Sequence, residues 1–388
     1  MMRLFRRKDD IVQPPHELMS AARSNERADY HVALDLVGEA RGRFAGFFGT
    51  DVRSSAIAEA LADAEEGLAL AALERYAEAE PLLSAATEEL AERPGGIAQP
   101  RLVIFFLGLA QTRIRLHRPQ ESLAATECAS KLLESADLSD PQLRYARASC
   151  LILRAEIERM SERLEAALAY LDAAVAIAEP DAITLAICHS DRAGILYRLG
   201  LAPEMEANAR QAVDLLGDVR ESSLVVLKAY LNAQRLYCLA LHAQQRHAET
   251  LEIWEQLLPV AKQTSEYLGR PHDLAEAYTD YANALDECDV RLDEAAALLD
   301  QADAILPPED ESRAAHYLRL NLLGVRAENL QKRGRPAEAL VAAERSLASH
   351  RRYYEVTSPE EQARGMAEIT RLRDRLAEQA GTSQSLAE

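Results

Sequence analysis

The chain has 388 residues, 44 Lys+Arg against 63 Asp+Glu, a formal charge of −19 at pH 7 and 48% apolar residues. It carries 70 Ala, while aromatic residues make up only 5%. This mixture of strong helix formers is poor in the β-branched and aromatic residues that favour strands, which argues against a sheet-based enzyme fold. Phosphate binding needs a clustered positive surface, so the acid excess argues against nucleic acid as the main partner.

The length suffices for one large domain or two to three ordinary ones. At the start, Arg3, Arg6, Arg7 and Lys8 form the one basic cluster, and residues 1–13 read as a flexible basic arm. No apolar run follows that could serve as a signal-peptide core, and no stretch of 18 or more apolar residues occurs. The expectation is a cytoplasmic protein with no transmembrane segment. Cys128, Cys150, Cys188, Cys238 and Cys288 are scattered singly, as reduced core thiols are, with no disulfide or zinc spacing. The 39 Arg against 5 Lys, with the Ala excess, point to GC-rich coding and a bacterial source.

Along the chain one pattern recurs: a bulky or loop-forming residue, a small residue three places on, and another small residue seven further. It reads Tyr30-x-x-Ala33 with Ala40, Tyr76-x-x-Ala79 with Ala86, Leu164-x-x-Ala167 with Ala174, and Leu292-x-x-Ala295 with Ala302. Weaker copies are Pro119-x-x-Ser122 with Ala129, Ala202-x-x-Met205 with Ala212, His247-x-x-Thr250 with Leu257, and Pro336-x-x-Ala339 with Ser346. Successive first small positions are 46, 43, 45, 38, 45, 45 and 44 residues apart. Upstream of each copy a helical stretch offers its own small residue: Ala21, Gly67, Ala110, Ala155, Ala193, Cys238, Ala282 and Ala327. Each unit is therefore a helix A, a turn and a helix B. Small residues belong where paired helices cross, because they set how closely the axes approach. A single hairpin cannot bury its apolar face alone, so the units must stack.

Helix punctuation agrees with this division. Asp140-Pro141 and Ser358-Pro359-Glu360-Glu361 read as N-caps with Pro in the first turn. Pro94-Gly95-Gly96 reads as an inter-repeat loop. Glu309-Asp310-Glu311, after Pro307-Pro308, reads as acids at a helix N-terminus. The segment His350, Arg351, Arg352, Tyr353, Tyr354 leads into a last helix over about 359–379, the polar-faced cap that a repeat array requires.

The Gly/Ala of helix A, the Tyr/Leu-x-x-Ala opening helix B and the Ala seven places later resemble the tetratricopeptide repeat family over residues 14–350. The copies are degenerate, with Met205 and Thr250 in place of Ala and the only Trp, Trp254, in a helix B. The period is about ten residues longer than the usual 34, as in the kinesin-light-chain-like and bacterial regulatory subgroups. The resemblance implies an all-α fold, a right-handed α-solenoid superhelix of about eight helix-turn-helix repeats. A C-terminal capping helix over 351–380 and a flexible tail over 381–388 complete the division.

Among catalytic patterns, none of the common nucleotide, zinc-protease, serine-hydrolase or EF-hand motifs is present. His31 with Asp35, His242 with Cys238, and His272 with Glu276 each supply only two metal ligands, short of the three or four a site needs. No cofactor and no metal are expected.

In the resembled family the concave groove is lined by helix A. Carried onto this chain, its positions hold Gln111, Arg115, Glu156, Arg159, Tyr197, Arg198, Asn232, Arg235, His242, Asn283, Asn321, Glu328 and Gln331. Three of the six Asn fall on this face. Amides and Arg there suit a peptide backbone or a carboxylate; against this, polar residues on a helix face are ordinarily its solvated side. The two-carboxylate clamp of chaperone-binding members is not matched. The expected function is a non-enzymatic scaffold or adaptor binding a peptide or partner protein through the groove. Its alternatives are a regulator that senses a small peptide or metabolite and signals to a separate effector, and, third, an all-α enzyme.

Overall fold

Seventeen helices and no strands make up the described part of the computed structural model. It describes residues 16–26, 29–48, 52–92, 99–134, 136–179, 181–217, 220, 224–268, 271–307, 310, 313–354 and 359–385. The basic arm, Pro94-Gly95-Gly96, Glu309, Glu311 and Ser358 lie outside the described residues.

The helices form hairpins. They are α1 (His16–Glu26) with α2 (Tyr30–Phe48), α3 (Val52–Ala72) with α4 (Tyr76–Ala91), α5 (Gln99–Arg115) with α6 (Pro119–Leu132), and α7 (Pro141–Met160) with α8 (Leu164–Ala178). There follow α9 (Ala182–Leu199) with α10 (Ala202–Gly217), α11 (Leu224–Ala243) and α12 (His247–Leu268), α13 (Pro271–Glu287) with α14 (Leu292–Ile305), α15 (Arg313–Lys332) with α16 (Pro336–Tyr354), and a last helix α17 (Pro359–Ser385). The last helix reaches past the expected end of the cap into the stretch expected as a tail. Two compact units divide the chain at Leu236 and Tyr237, within α11.

Every small residue of the repeat pattern is buried, as are the Met, Leu and Thr that stand in for it. The crossing is tight enough that a Cβ on Gly67 would sit 2.6 Å from Leu83 Cγ. Where Ala gives way to a hydroxyl residue, the hydroxyl bonds the helix it crosses. Ser122 Oγ donates to the Ala110 carbonyl at 2.8 Å, and Thr250 Oγ1 to the Cys238 carbonyl at 3.5 Å. These degenerate copies keep the crossing by replacing apolar contact with a satisfied polar one.

The turns repeat as strictly. Five residues before the first small position the backbone enters the left-handed region, at Glu74, His117, Glu162, Gly200, Gln245 and Gly334. The following N–H then bonds back to the carbonyl five residues upstream: Arg75 to Leu70, Arg118 to Arg113, Arg163 to Glu158, Leu201 to Leu196, Arg246 to Leu241 and Arg335 to Leu330, all at 2.8–3.0 Å. This is the Schellman closure of a helix. An Arg at that position commonly grips a Glu three residues on, as Arg75–Glu78, Arg246–Glu249, Arg291–Glu294 and Arg335–Glu338 do at 2.6–2.7 Å. The Glu then lies in the first turn of helix B, where the helix dipole favours it. Asp140 caps α7 as the sequence predicts, accepting from the Gln142 N–H at 2.8 Å.

In the first unit each odd-numbered helix packs on the next, α1 on α3, α3 on α5, α5 on α7 and α7 on α9. Consecutive even-numbered helices make no comparable contact among the described residues. A layer whose members crowd while its partner layer fans apart is the inner side of a curve. The unit bends far enough for Lys228 Nζ on α11 to lie 3.5 Å from Glu74 Oε1 in the α3–α4 turn, 154 residues away. Its core runs through Phe44, Leu61, Leu83, Phe105 and Leu109. In the second unit α13 packs on α15 in the same way, and α17 covers the last hairpin with Ile369, Leu372 and Leu376 against Ala343 and Leu347. A capped end of this kind closes a stack that would otherwise expose its last apolar face.

The left-handed turn positions are open to improvement where they are not Gly. A left-handed L-residue costs about 1–2 kcal/mol, of which the extra chain entropy of Gly returns roughly half. Gln245→Gly should therefore raise stability by about 0.5–1 kcal/mol. A urea midpoint unchanged or lowered in Gln245→Gly would contradict this account of the turns.

Candidate functional site

On the inner layer of the first unit, α5, α7 and α9 carry the site. Gln111 and Arg115 stand one helical turn apart on α5, both exposed. On α7, Arg159 clasps Glu156 with two bonds, Nε to Oε2 at 2.7 Å and Nη2 to Oε1 at 2.5 Å. On α9, Arg198 Nη2 bonds both oxygens of Glu162 at 2.5 and 2.6 Å. Its Nη1 lies 3.4 Å from the Arg159 carbonyl. Arg198 thus ties α9 to the turn that ends α7, a structural task for a residue the sequence places in the groove.

The member that sequence reasoning missed is Asp191. The residue is exposed, yet its carboxylate makes no hydrogen bond or ion pair with any described residue. Crowding by the surrounding helices, reinforced by Glu156, pushes its pKa up to about 7, against the pull of Arg159 and Arg115. For Glu156 burial also works against the charge, but Arg159, with Arg115 and Arg198 behind it, holds the carboxyl below its ordinary range. Asp191 stands two residues before the small residue Ala193; the same place holds Gly108, Leu153, Leu236 and Val325 in other units, but Glu65 and Asp280 in two. An acid at a place elsewhere small or apolar was the available signal.

The structure therefore brings together Arg115, Glu156, Arg159 and Arg198 of the sequence-predicted residues, and adds Asp191. Tyr197 is exposed but points about 100° around the helix from Arg198. On α11, Asn232 is exposed and Arg235 half-buried. Beside Asp191, Gly194 faces open space, with nothing within 4 Å of where a Cβ would lie. Cys188, one turn before Asp191, has its thiol pushed up to about 12 by burial and by that aspartate, which keeps it unreactive. Burial likewise raises the Cys238 thiol.

In the second unit Asn283 and Asn321 are half-buried. Gln331 Nε2 is committed to Gln379 of α17 at 3.0 Å. The His242 ring stands edge-on to His247 at 5.0 Å between centroids. Glu328 is raised by burial and by Glu287 and Glu368, an accumulation of acids on one inner face. Asp286 is buried, accepts from Asn329 Nδ2 at 2.7 Å, and is pushed up to about 6 chiefly by that burial. Among the described residues no group of three or more His, Cys, Asp or Glu is placed to hold a metal ion, and no helix is long and apolar enough to cross a membrane.

No protein-family model and no curated protein matches the sequence. Solved structures do resemble its fold. The apo quorum sensor NprR from B. thuringiensis superposes with a TM-score of 0.63 at 13% identity, over 86% of this chain and 86% of that one. NprR in complex with its cognate peptide NprX gives 0.53 at 12% identity, over 83% and 86%. A signal-transduction ATPase from Pyrococcus horikoshii with a tetratricopeptide repeat sensor gives 0.53 at 11% identity, covering 95% of this chain and 56% of that one. The fold is thus an all-α solenoid of the tetratricopeptide type, as the repeat pattern led one to expect.

The protonation of Asp286 gives a stability test. The folded chain keeps this proton to about pH 6, whereas an unfolded Asp releases it near its ordinary value of about 3.9. Between those values the folded state binds more protons, so this group's contribution falls as pH rises. Asp286→Asn should gain on the parent as pH rises from 4 to 7.5, by on the order of 1–3 kcal/mol. Urea midpoints that differ equally at both pH values would rule this out.

Proposed function

We propose that the chain is a non-enzymatic interaction scaffold that binds a peptide or a segment of a partner protein on the inner layer of its first unit. The observation that carries this reading is the inner layer over α5, α7 and α9, where the exposed Arg115 and Asp191 stand within electrostatic reach of the Arg159–Glu156 pair and Gly194, beside Asp191, faces open space. Nearly all the described residues lie in stacked hairpins and a last helix that position such a surface, with helices, not loops, holding each side chain. The solenoid of NprR, which shares the fold, is solved with a peptide, which supports a peptide as ligand. A polyanion is disfavoured by the charge of −19.

A probe is a random decapeptide display library panned on the immobilised full chain. The parent should enrich peptides, and Gly194→Trp should lose them by tenfold or more, about 1.4 kcal/mol. The fold should be kept, since Trp is a better helix residue than Gly and the space is open. Equal enrichment by Gly194→Trp of unaltered helicity would displace the surface; no enrichment by the parent would sink the reading.

A second reading, a ligand-responsive regulator acting on a separate effector, is favoured by the seating of α17 on the last hairpin. There Tyr317 and Tyr353 lie 5.5 Å apart, and Tyr353 meets Tyr354 edge-on at 4.8 Å. Ile369, Leu372 and Leu376, with Met366 beside them, seat that helix on the last hairpin, so a shift of the hairpin would reach it. Hydrogen exchange in residues 359–385 should change when an enriched peptide is added. Identical exchange with and without it leaves the scaffold reading alone.

A further inference from the structure

We infer that the ligand of the first unit carries an anion and a cation on one extended segment, the anion taken by Arg115 of α5 and the cation by Asp191 of α9. The inference rests on the reading of this layer as a peptide-binding surface and names the chemistry it selects.

The argument is one of charge accounting. Arg159 and Glu156 neutralise each other on α7, and Arg198 is neutralised by Glu162. Arg192, on the same helix as Asp191, is paired with Asp172. Two exposed charges are left over among the described residues of these three helices' inner face. Arg115 makes no ion pair or hydrogen bond, and neither does Asp191. They act on one another electrostatically but do not bond, and α7 with its closed Arg159–Glu156 pair lies between the helices that carry them.

Water solvates both charges in the free protein. A segment settling onto this layer displaces that water, and an apolar or singly charged ligand then leaves one charge desolvated and unpartnered. That outcome is costly, and it rejects such ligands. Only a ligand with both signs repairs both ends. The Arg115 fork suits a carboxylate in two-point contact, and Asp191 accepts from an ammonium or guanidinium. A cation there also offsets the repulsion from Glu156 that adds to burial in raising the aspartate's pKa. The neutral pair on α7 faces the stretch between the two charges, and the order α5, α7, α9 fixes the direction in which they must run.

Peptides selected from the decapeptide library by the parent chain should carry an acid and a base at a constant spacing. Replacing the acid of a selected synthetic peptide by its amide should weaken binding to the parent about tenfold, and to Arg115→Ala hardly at all. Replacing its base by Gln should behave in the same way toward the parent and Asp191→Ala. Both protein substitutions are at exposed sites, and circular dichroism with thermal midpoints checks that each variant folds. Selected peptides without a charge preference, or losses that simply add across protein and peptide, overturn the inference and leave the binding surface standing. A library that yields no binder at all removes both.

Discussion

Close approach of two helices at a small side chain is the constraint from which the rest follows. Helix axes can come to the short end of the roughly 8–10 Å range only where nothing bulky intervenes. In this chain all three pattern positions of every one of the eight hairpins are buried, and all but Met205, Thr250 and Leu257 are small. Gly67 shows how little slack there is, since even one methyl would meet Leu83. Because the crossing residue is fixed in register, so is the turn five residues before it. The left-handed residue and its closing hydrogen bond therefore recur whether the residue is Gly, Gln or Glu.

Stacking such hairpins crowds the odd-numbered helices into an inner layer, and crowding changes the chemistry of any charge placed there. The place two residues before the small residue of helix A shows both outcomes. Glu65 on α3 is buried, its Oε1 bonded by Arg101 Nε at 2.9 Å and its Oε2 by Asn25 Nδ2 at 2.9 Å, so that α1, α3 and α5 are joined through one carboxylate. A buried pair of this kind specifies geometry more than it adds stability. Asp191, at the equivalent place on α9, has no such partners and keeps its access to water. The same position serves as a bolt in one repeat and stands open in another.

The crossings were legible in the sequence because apolar smallness at fixed spacing survives degeneracy: Met205 and Thr250 spoil the consensus but are buried in register. The turn was less legible, since the left-handed position accepts Glu, His, Gln or Gly and leaves no common residue. The Arg and Glu that flank it, as in Arg246 with Glu249, did repeat and were overlooked among many surface charges. Of the residues expected in the groove, Arg115 and Arg159 lie on inner-layer helices, α5 and α7, as helix position alone suggests. That Arg198 is consumed by Glu162 could not, because the partner comes from the preceding repeat's turn. Asp191 was missed for the opposite reason, since it occupies a position that the general pattern assigns to packing.

The two units differ in what their inner faces offer, and this gives the net charge a location. Over α5, α7 and α9 of the first unit acids and guanidiniums mostly cancel, leaving Arg115 and Asp191 as exposed charges without a bonded partner among the described residues. In the second, burial raises Glu328 and Asp286, neighbouring acids reinforce it, Glu287 and Glu368 for the first and Glu287 and Asp289 for the second, and Lys332 is the cation that opposes both shifts. A face whose own acids already repel one another gains nothing from an anionic ligand. A surface that presents one unpaired cation and one unpaired anion can instead discriminate among peptides by their charge order. The excess of acid that first spoke against nucleic acid is thus partly built into the inner layer of the second unit, while the inner layer over α5, α7 and α9 holds charges of both signs.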